Sequence, residues 1–374
     1  MAEWHIPAMY GFILLLLAFS LSQADNCDKN STLPKGRTLV AVLTRNNNCS
    51  KFSLDDSVKA HLTNLETTII LPAIYSIVLL IGLPANGVAF WVLAAKTKKS
   101  PSTFFLLNLA IADLMFALIL PFKISYHFLG NNWLFGEALC RAVSALFYGN
   151  IYGSILFLMC ISVDRYISLV HPFMARGLQR RKAALCVSFG IWLVVIAAVI
   201  PLLLKQQSSS YENVSFTTCH DVELECKDGC FSPYFLSLVI LGFAIPFVVI
   251  VYCYGAILIK LIPKKKDHGP IIRLLALVLL SFILFFSPCN VLLFLQSLRA
   301  QQERLKDNQM YIWYTIAQAL SSFNNCIDPF IYYYASRDFR AMVKSVVCCC
   351  KETNKKTSGR TSETLILKKS ISYN

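Results

Sequence analysis

The chain reads as an all-α membrane protein: a bundle of seven transmembrane helices followed by a short amphipathic eighth helix. Three observations lead there. Apolar runs long enough to carry a helix across about 30 Å of hydrocarbon recur seven times after residue 66. Of 374 residues, 56% are hydrophobic and 15% charged, and the mean hydropathy is +0.56, well outside the range of an ordinary soluble domain. The formal net charge of +14 comes from Lys and Arg gathered between and after the apolar runs, which is a signal of membrane topology and not of nucleic-acid binding.

Residues 1–24 come first. Gly11 to Phe19 form an apolar core too short to span, and Ser22-Gln23-Ala24 offers the small-x-small ending of a signal peptide. A polar stretch, 25–66, follows and would lie outside the cell, where disulfides persist. The seven spans are placed near 67–95, 103–129, 137–169, 183–204, 233–262, 271–298 and 309–334. Short loops make neighbouring spans antiparallel.

Lys96, Lys98 and Lys99 follow the first span; Arg176, Arg180, Arg181 and Lys182 follow the third; Lys264, Lys265 and Lys266 follow the fifth. Gly130 to Gly136, after the second span, holds neither Lys nor Arg. The basic loops are therefore inside, the amino terminus is outside, and an odd number of spans leaves the carboxyl terminus in the cytosol of a multi-pass plasma-membrane protein.

Three sequons fall on the outside, at Asn30, Asn48 and Asn213, and mark glycosylation. After the last span, 335–347 reads as an amphipathic helix on the bilayer surface. Cys348, Cys349 and Cys350 follow. Three adjacent cysteines are badly spaced for a tetrahedral metal site, and S-palmitoylation suits them better. The polar segment 348–374 is read as a disordered cytoplasmic tail.

Within the spans, ionisable and helix-breaking residues carry the information. Asp113 lies in the second span, Asp164-Arg165-Tyr166 at the inner end of the third, Phe285-Phe286-Ser287-Pro288 in the sixth and Asp328-Pro329-Phe330-Ile331-Tyr332 in the seventh. Charges in hydrocarbon are costly and mark function. Prolines there kink a helix and free carbonyls, creating hinges. The spans show no repeated halves, as a transporter would, and no nucleophile-base set or metal-ligand spacing points to an enzyme or a metal cofactor.

In this order these motifs resemble the rhodopsin-like (class A) G protein-coupled receptors, over about Thr67 to Val347. Asn86 and Gly87, Asp113, Trp192 and Pro246 match as well. The resemblance implies a Cys140–Cys219 bridge and a polar core of Asn86, Asp113, Ser154, Asn324 and Asp328 that a sodium ion could occupy. It also implies a G-protein switch built from Asp164, Arg165, Tyr166, Asp328, Pro329 and Tyr332. Departures are present. Phe285-Phe286 replaces the usual Cys-Trp pair, Asp328 stands where most relatives have Asn, and His268 lies about where many place an acid that locks the arginine.

Larger blocks narrow the likeness. Leu120 to His127, Gly130 to Cys140, Phe147-Tyr148-Gly149-Asn150 and Thr217 to Val222 resemble the protease-activated receptors, and Lys35-Gly36-Arg37 before Thr38-Leu39-Val40 is most similar to their trypsin-responsive second subtype. Such receptors are switched on when a protease unmasks a ligand in their own amino-terminal tail. Here Lys35-Gly36-Arg37 precedes Thr38-Leu39-Val40-Ala41-Val42-Leu43. The resemblance thus makes 25–37 an activation peptide, Arg37 and Thr38 the cleavage site, and Thr38 to Leu43 the tethered ligand. His220, Asp221, Tyr311 and Tyr314 become its pocket. The implied partners are a trypsin-like serine protease, a heterotrimeric G protein (Gq, releasing calcium), arrestin, the bilayer and a second receptor copy.

A freshly cut α-amino group is largely cationic at pH 7, since its pKa is about 7.7–8.0. Asp221 is an acid in the loop over the pocket that suits it; Glu223 and Glu225 are rivals. Roughly 28 residues of flexible tail reach about 30 Å, which sets an effective ligand concentration near the millimolar scale. The segment after the cut lacks the acidic docking stretch of thrombin substrates, so trypsin, tryptase or a related protease is expected. Arg45 offers a second cut that would discard the ligand. Cys27 and Cys49 flank Arg37, and Cys226 and Cys230 share a loop; their pairing stays open, although a Cys27–Cys49 bridge would keep the cut fragment attached. The alternative readings are a peptide or lipid receptor whose Arg37 is incidental, and a co-receptor that presents proteases to a partner.

Overall fold

The computed structural model describes residues 39–43, 52–53, 59–60, 62–95, 97, 100–172, 179–211, 214–224, 231–261, 269–299, 308–335 and 339–341. Six helices among them are long and apolar enough to cross a membrane. The seventh span is Asn308–Ser321 followed by Asn324–Ala335, interrupted by a turn at 322–323. Hydroxyls explain the interruption. Ser321 Oγ donates to the Gln318 carbonyl at 2.7 Å and Ser322 Oγ to the Ala319 carbonyl at 2.5 Å, competing with the helical ladder just before Pro329.

The first span, Leu71–Ala95, begins on a π-turn at Glu66–Ile70. The second, Pro101–Phe128, starts on Ser100, whose Oγ accepts from the Thr103 amide at 3.2 Å, with Pro at the first helical position. The third, Gly136–Val170, is the most buried and packs on the second, fourth and fifth spans. The fourth is Gln179–Leu204. The fifth runs from Phe231 to Leu261 through a π-turn at Ile240–Ala244, and the sixth from Gly269 to Arg299 through another at Phe282–Phe286, one turn before Pro288. Between the spans a few polar bonds fix register. Trp192 Nε1 donates to Asn108 Oδ1 at 2.8 Å and Tyr234 Oη to the Ala198 carbonyl at 2.7 Å; such bonds contribute about 0.6 kcal/mol each in a bilayer.

Strands β3 (Ser208–Ser210) and β4 (Thr217–Cys219) form an antiparallel hairpin in the loop between the fourth and fifth spans. Two anchors hold it on the third span and one on the loop that precedes that span. Cys140 and Cys219 are bridged, with Cα atoms 5.8 Å apart. Glu137 accepts from the Gln207 and Ser208 amides (2.9 and 2.7 Å) and from Ser208 Oγ at 2.5 Å. The Trp133 amide donates to the Thr217 carbonyl at 2.7 Å. Gly130, Asn131 and Gly136 take φ of +72°, +60° and +78°, which explains why the outer loop after the second span needs glycine and asparagine there.

A second sheet lies beside the hairpin. Its order is β2 (Phe52–Ser53), β1 (Leu39–Leu43), β5 (Val222–Leu224), with β1 parallel to β5 and antiparallel to β2. Of the expected eighth helix, the described residues hold one helical turn at Phe339–Ala341, where Phe339 is buried against Tyr332.

Candidate functional site

The outer site is built around Asp221. His220 takes φ of +71°, and its amide donates to the Gln207 carbonyl at 2.8 Å, turning the chain sharply after β4. That turn brings Asp221 between two spans. Tyr126 of the second donates to Oδ2, and Tyr311 of the seventh donates to Oδ1 at 2.6 Å. Both carboxylate oxygens are thus clasped by phenols. Tyr148 and Tyr314 share a hydrogen bond of 2.8 Å, Gln318 Nε2 donates to Tyr148 at 3.2 Å, and the Tyr148 ring lies 5.5 Å from His220. Of the four residues expected in the pocket, Asp221 and Tyr311 share one hydrogen-bonded cluster and Tyr314 belongs to another, while His220, next to Asp221 in the chain, lies against the Tyr148 ring of the second.

Several partners lacked an assigned role at the sequence level. His127 contacts Asn131 Oδ1 at 2.7 Å and stacks on Tyr75 at 5.9 Å. Lys123 Nζ lies 4.1 Å from the Phe147 ring centre and 5.5 Å from that of Tyr75. The signal that could have found them is their spacing: Lys123, Tyr126 and His127 sit at i, i+3 and i+4 on one helical face. The result is a cluster of aromatic rings beside one carboxylate, Asp221, and one ammonium, Lys123.

The membrane core holds the second cluster. Tyr332 Oη donates to Asp113 at 3.0 Å, Asn150 Nδ2 lies 3.4 Å from the same carboxylate, and Asn324 Nδ2 donates to Asp328 at 2.7 Å. Asn86 Nδ2 donates to the Asn325 carbonyl at 2.8 Å. Among these buried groups Asn86 Oδ1, Ser154 Oγ, Asn324 Oδ1, Asn325 Oδ1 and Asp328 Oδ1 have no protein partner. Five orphaned oxygens around two carboxylates are the donor set a small hard cation wants. Asn150 and Asn325 were not foreseen in this core.

At the inner end, Asp164 accepts from Ser102 of the second span and Tyr166 Oη contacts His171 Nε2 at 3.2 Å. Tyr254 of the fifth span and Ser162 of the third are hydrogen-bonded at 2.7 Å. The Lys260 ammonium donates to the Val170 carbonyl at 2.7 Å, tying fifth to third. In the sixth span Phe286 is fully buried and tilts against Phe282 at 5.2 Å, which stacks on Phe243 and Phe247. Phe286, one of the pair that replaces the usual Cys-Trp, is thus packed into the bundle.

Arg37, Thr38, Cys27, Cys49, Asn30, Asn48, Asn213, Glu225, His268 and Cys348 to Cys350 lie outside the described residues. Leu39 to Leu43 lie inside them, as β1.

The bundle, its outer disulfide and its inner Asp-Arg-Tyr cluster define a receptor of the seven-transmembrane rhodopsin family, and a model of that family matches residues 85–332. The chain is 42% identical to human proteinase-activated receptor 4 over 300 residues, covering 80% of this chain and 77% of that protein. It is 41% identical to human proteinase-activated receptor 3 over 294 residues (77% of each). To human proteinase-activated receptor 2 it is 36% identical over 367 residues, 93% of this chain and 90% of that one. The chain belongs to the proteinase-activated receptors: it is a G protein-coupled receptor, not an enzyme.

Proposed function

We propose that a serine protease of trypsin type cuts after Arg37, and that Thr38-Leu39-Val40-Ala41-Val42-Leu43, now the amino terminus, fills the outer site and switches the receptor on. The observation that carries this reading is Asp221 between Tyr126 and Tyr311. Among the described residues no salt bridge engages Asp221, whose oxygens accept only from phenols, and an α-ammonium supplies a cationic partner. The intact chain presents a neutral amide at Thr38 instead. The bond at Arg37 is therefore an irreversible gate on one charge.

Occupying the site draws together the second, third and seventh spans, which supply Tyr126, Tyr148 and Tyr311. Inward, Phe282 and Phe286 in the kinked sixth span relay the change to Asp164-Arg165-Tyr166, where Arg165 engages a heterotrimeric G protein of the Gq class and later arrestin. The core suits a sodium ion held by Asp113, Asp328, Ser154, Asn86 and Asn324, which would favour the resting packing by offsetting one negative charge of the two buried acids. An extracellular amino terminus, a cytosolic tail and pairing with a second receptor complete the reading.

The test is amino-terminal labelling of trypsin-treated cells alongside calcium release. Appearance of a Thr38 terminus in step with calcium supports the proposal. Calcium release with Arg37–Thr38 uncut contradicts it.

A further inference from the structure

The tethered-ligand segment is already a strand in the uncut chain. Leu39, Val40 and Ala41 pair in parallel with Val222, Glu223 and Leu224, while Val42 and Leu43 pair with Ser53 and Phe52 on the other side. The register has a consequence. Leu39, the first described residue of the segment, lies opposite Val222, and Val222 directly follows Asp221, whose carboxylate accepts from Tyr126 and Tyr311.

We propose that β5 is a strand-addition edge that holds the uncut ligand in parallel register with its amino end at Asp221, so that the receptor is preloaded and cleavage frees a terminus instead of delivering a ligand. This rests on the reading of Arg37–Thr38 as the cut. Three features argue for it. A strand of three residues such as β5 has no stability alone and presents an unpaired edge, which is a template for an extended peptide. Leu39-Val40-Ala41-Val42-Leu43 is apolar with two β-branched residues, the composition that adds readily to such an edge. The hairpin β3–β4, which leads directly into His220 and β5, is fixed to the third span by the Cys140–Cys219 bridge and Glu137, so the edge is rigid.

The energetic gain is preorganisation. A free tail must be ordered when it binds, whereas a paired strand has lost that freedom before the cut. Affinity is then set by a single new interaction, the ammonium at Asp221, and activation follows cleavage without a search by the chain.

The test is a register-specific disulfide in receptor carrying Arg37→Ala, which keeps the tail intact. Val40→Cys with Glu223→Cys joins direct partners, whose Cα atoms in paired strands are roughly 4.8 Å apart and within bridging range. Val40→Cys with Leu224→Cys puts the second thiol on the opposite face. Without reductant, the first pair is expected to be protected from maleimide labelling and the second labelled. The native outside cysteines are common to both, so the difference is what counts. Equal labelling in receptors that still answer the free peptide overturns strand docking and leaves the reading of Arg37 untouched.

A second arm needs no receptor variant. Hexapeptides N-methylated singly at Leu39, Val40 or Ala41 should lose potency with alternating parity, by about tenfold at the amides that face β5. A uniform effect at all three overturns the proposal.

Discussion

Replacing Asp221 with Asn removes one charge and little volume, so its effect isolates the ammonium interaction. Tyr126 and Tyr311 still find acceptors on the amide oxygen, although only one oxygen remains for two phenols. A hydrogen bond to a charged partner contributes about 1.5–3 kcal/mol in a partly buried site, which corresponds to a rightward shift of about 10- to 150-fold in agonist potency. The assay is calcium release by Thr-Leu-Val-Ala-Val-Leu amide at matched surface expression. Two controls separate charge from structure. The N-acetylated peptide lacks the cation and should lose about as much on the native receptor, and Asp221→Asn should cost it nothing more. Tyr311→Phe should cost less than Asp221→Asn, because the carboxylate stays charged. Unchanged potency in Asp221→Asn refutes the assignment, and so does an equal loss for free and acetylated peptides.

The remaining predictions follow from the same geometry. Agonist peptide should weaken as pH rises through about 7.7–8.0, by about tenfold between pH 7 and pH 9, because only the protonated α-amine pairs with Asp221; the Asp221→Asn receptor should show a flatter profile in the same calcium assay. Gly242→Ala should destabilise the solubilised receptor by about 1–3 kcal/mol in a thermal-shift measurement, since a Cβ there would meet the Tyr152 ring at 2.6 Å. Gly87→Ala, where nothing lies within 4 Å, should not. Trypsin-treated receptor on a non-reducing gel should retain the 25–37 fragment, and release it on reduction, if Cys27 is joined to Cys49; release without reductant rejects that bridge.

The path from residues to fold explains what could be read early and what could not. The spans were legible because hydrocarbon imposes length and apolarity on every one of them. The Cys140–Cys219 bridge came through resemblance, and the two cysteines are bridged.

What stayed hidden depends on contacts between distant spans. Tyr126 meets Asp221 across 95 positions in the chain, and Ser102 meets Asp164 across 62. No local period signals such pairs, because a tyrosine or serine in a span looks like ordinary packing until its partner is known. Asn325 escaped notice for a different reason: its carbonyl, not its side chain, receives Asn86. The break at 322–323 in the seventh span was masked by apolar neighbours, since hydroxyl back-bonding leaves hydropathy unchanged. The β1–β5 pairing was invisible for the plainest reason: three residues of loop do not read as a strand until another strand lies beside them.

The central claim is that one peptide bond gates the receptor, and its most direct measurement compares native and Arg37→Ala receptors in the same cells. Trypsin and Thr-Leu-Val-Ala-Val-Leu amide are each applied while calcium is recorded. The account predicts that Arg37→Ala abolishes the trypsin response and leaves the peptide response at full size. A trypsin response that survives Arg37→Ala contradicts it.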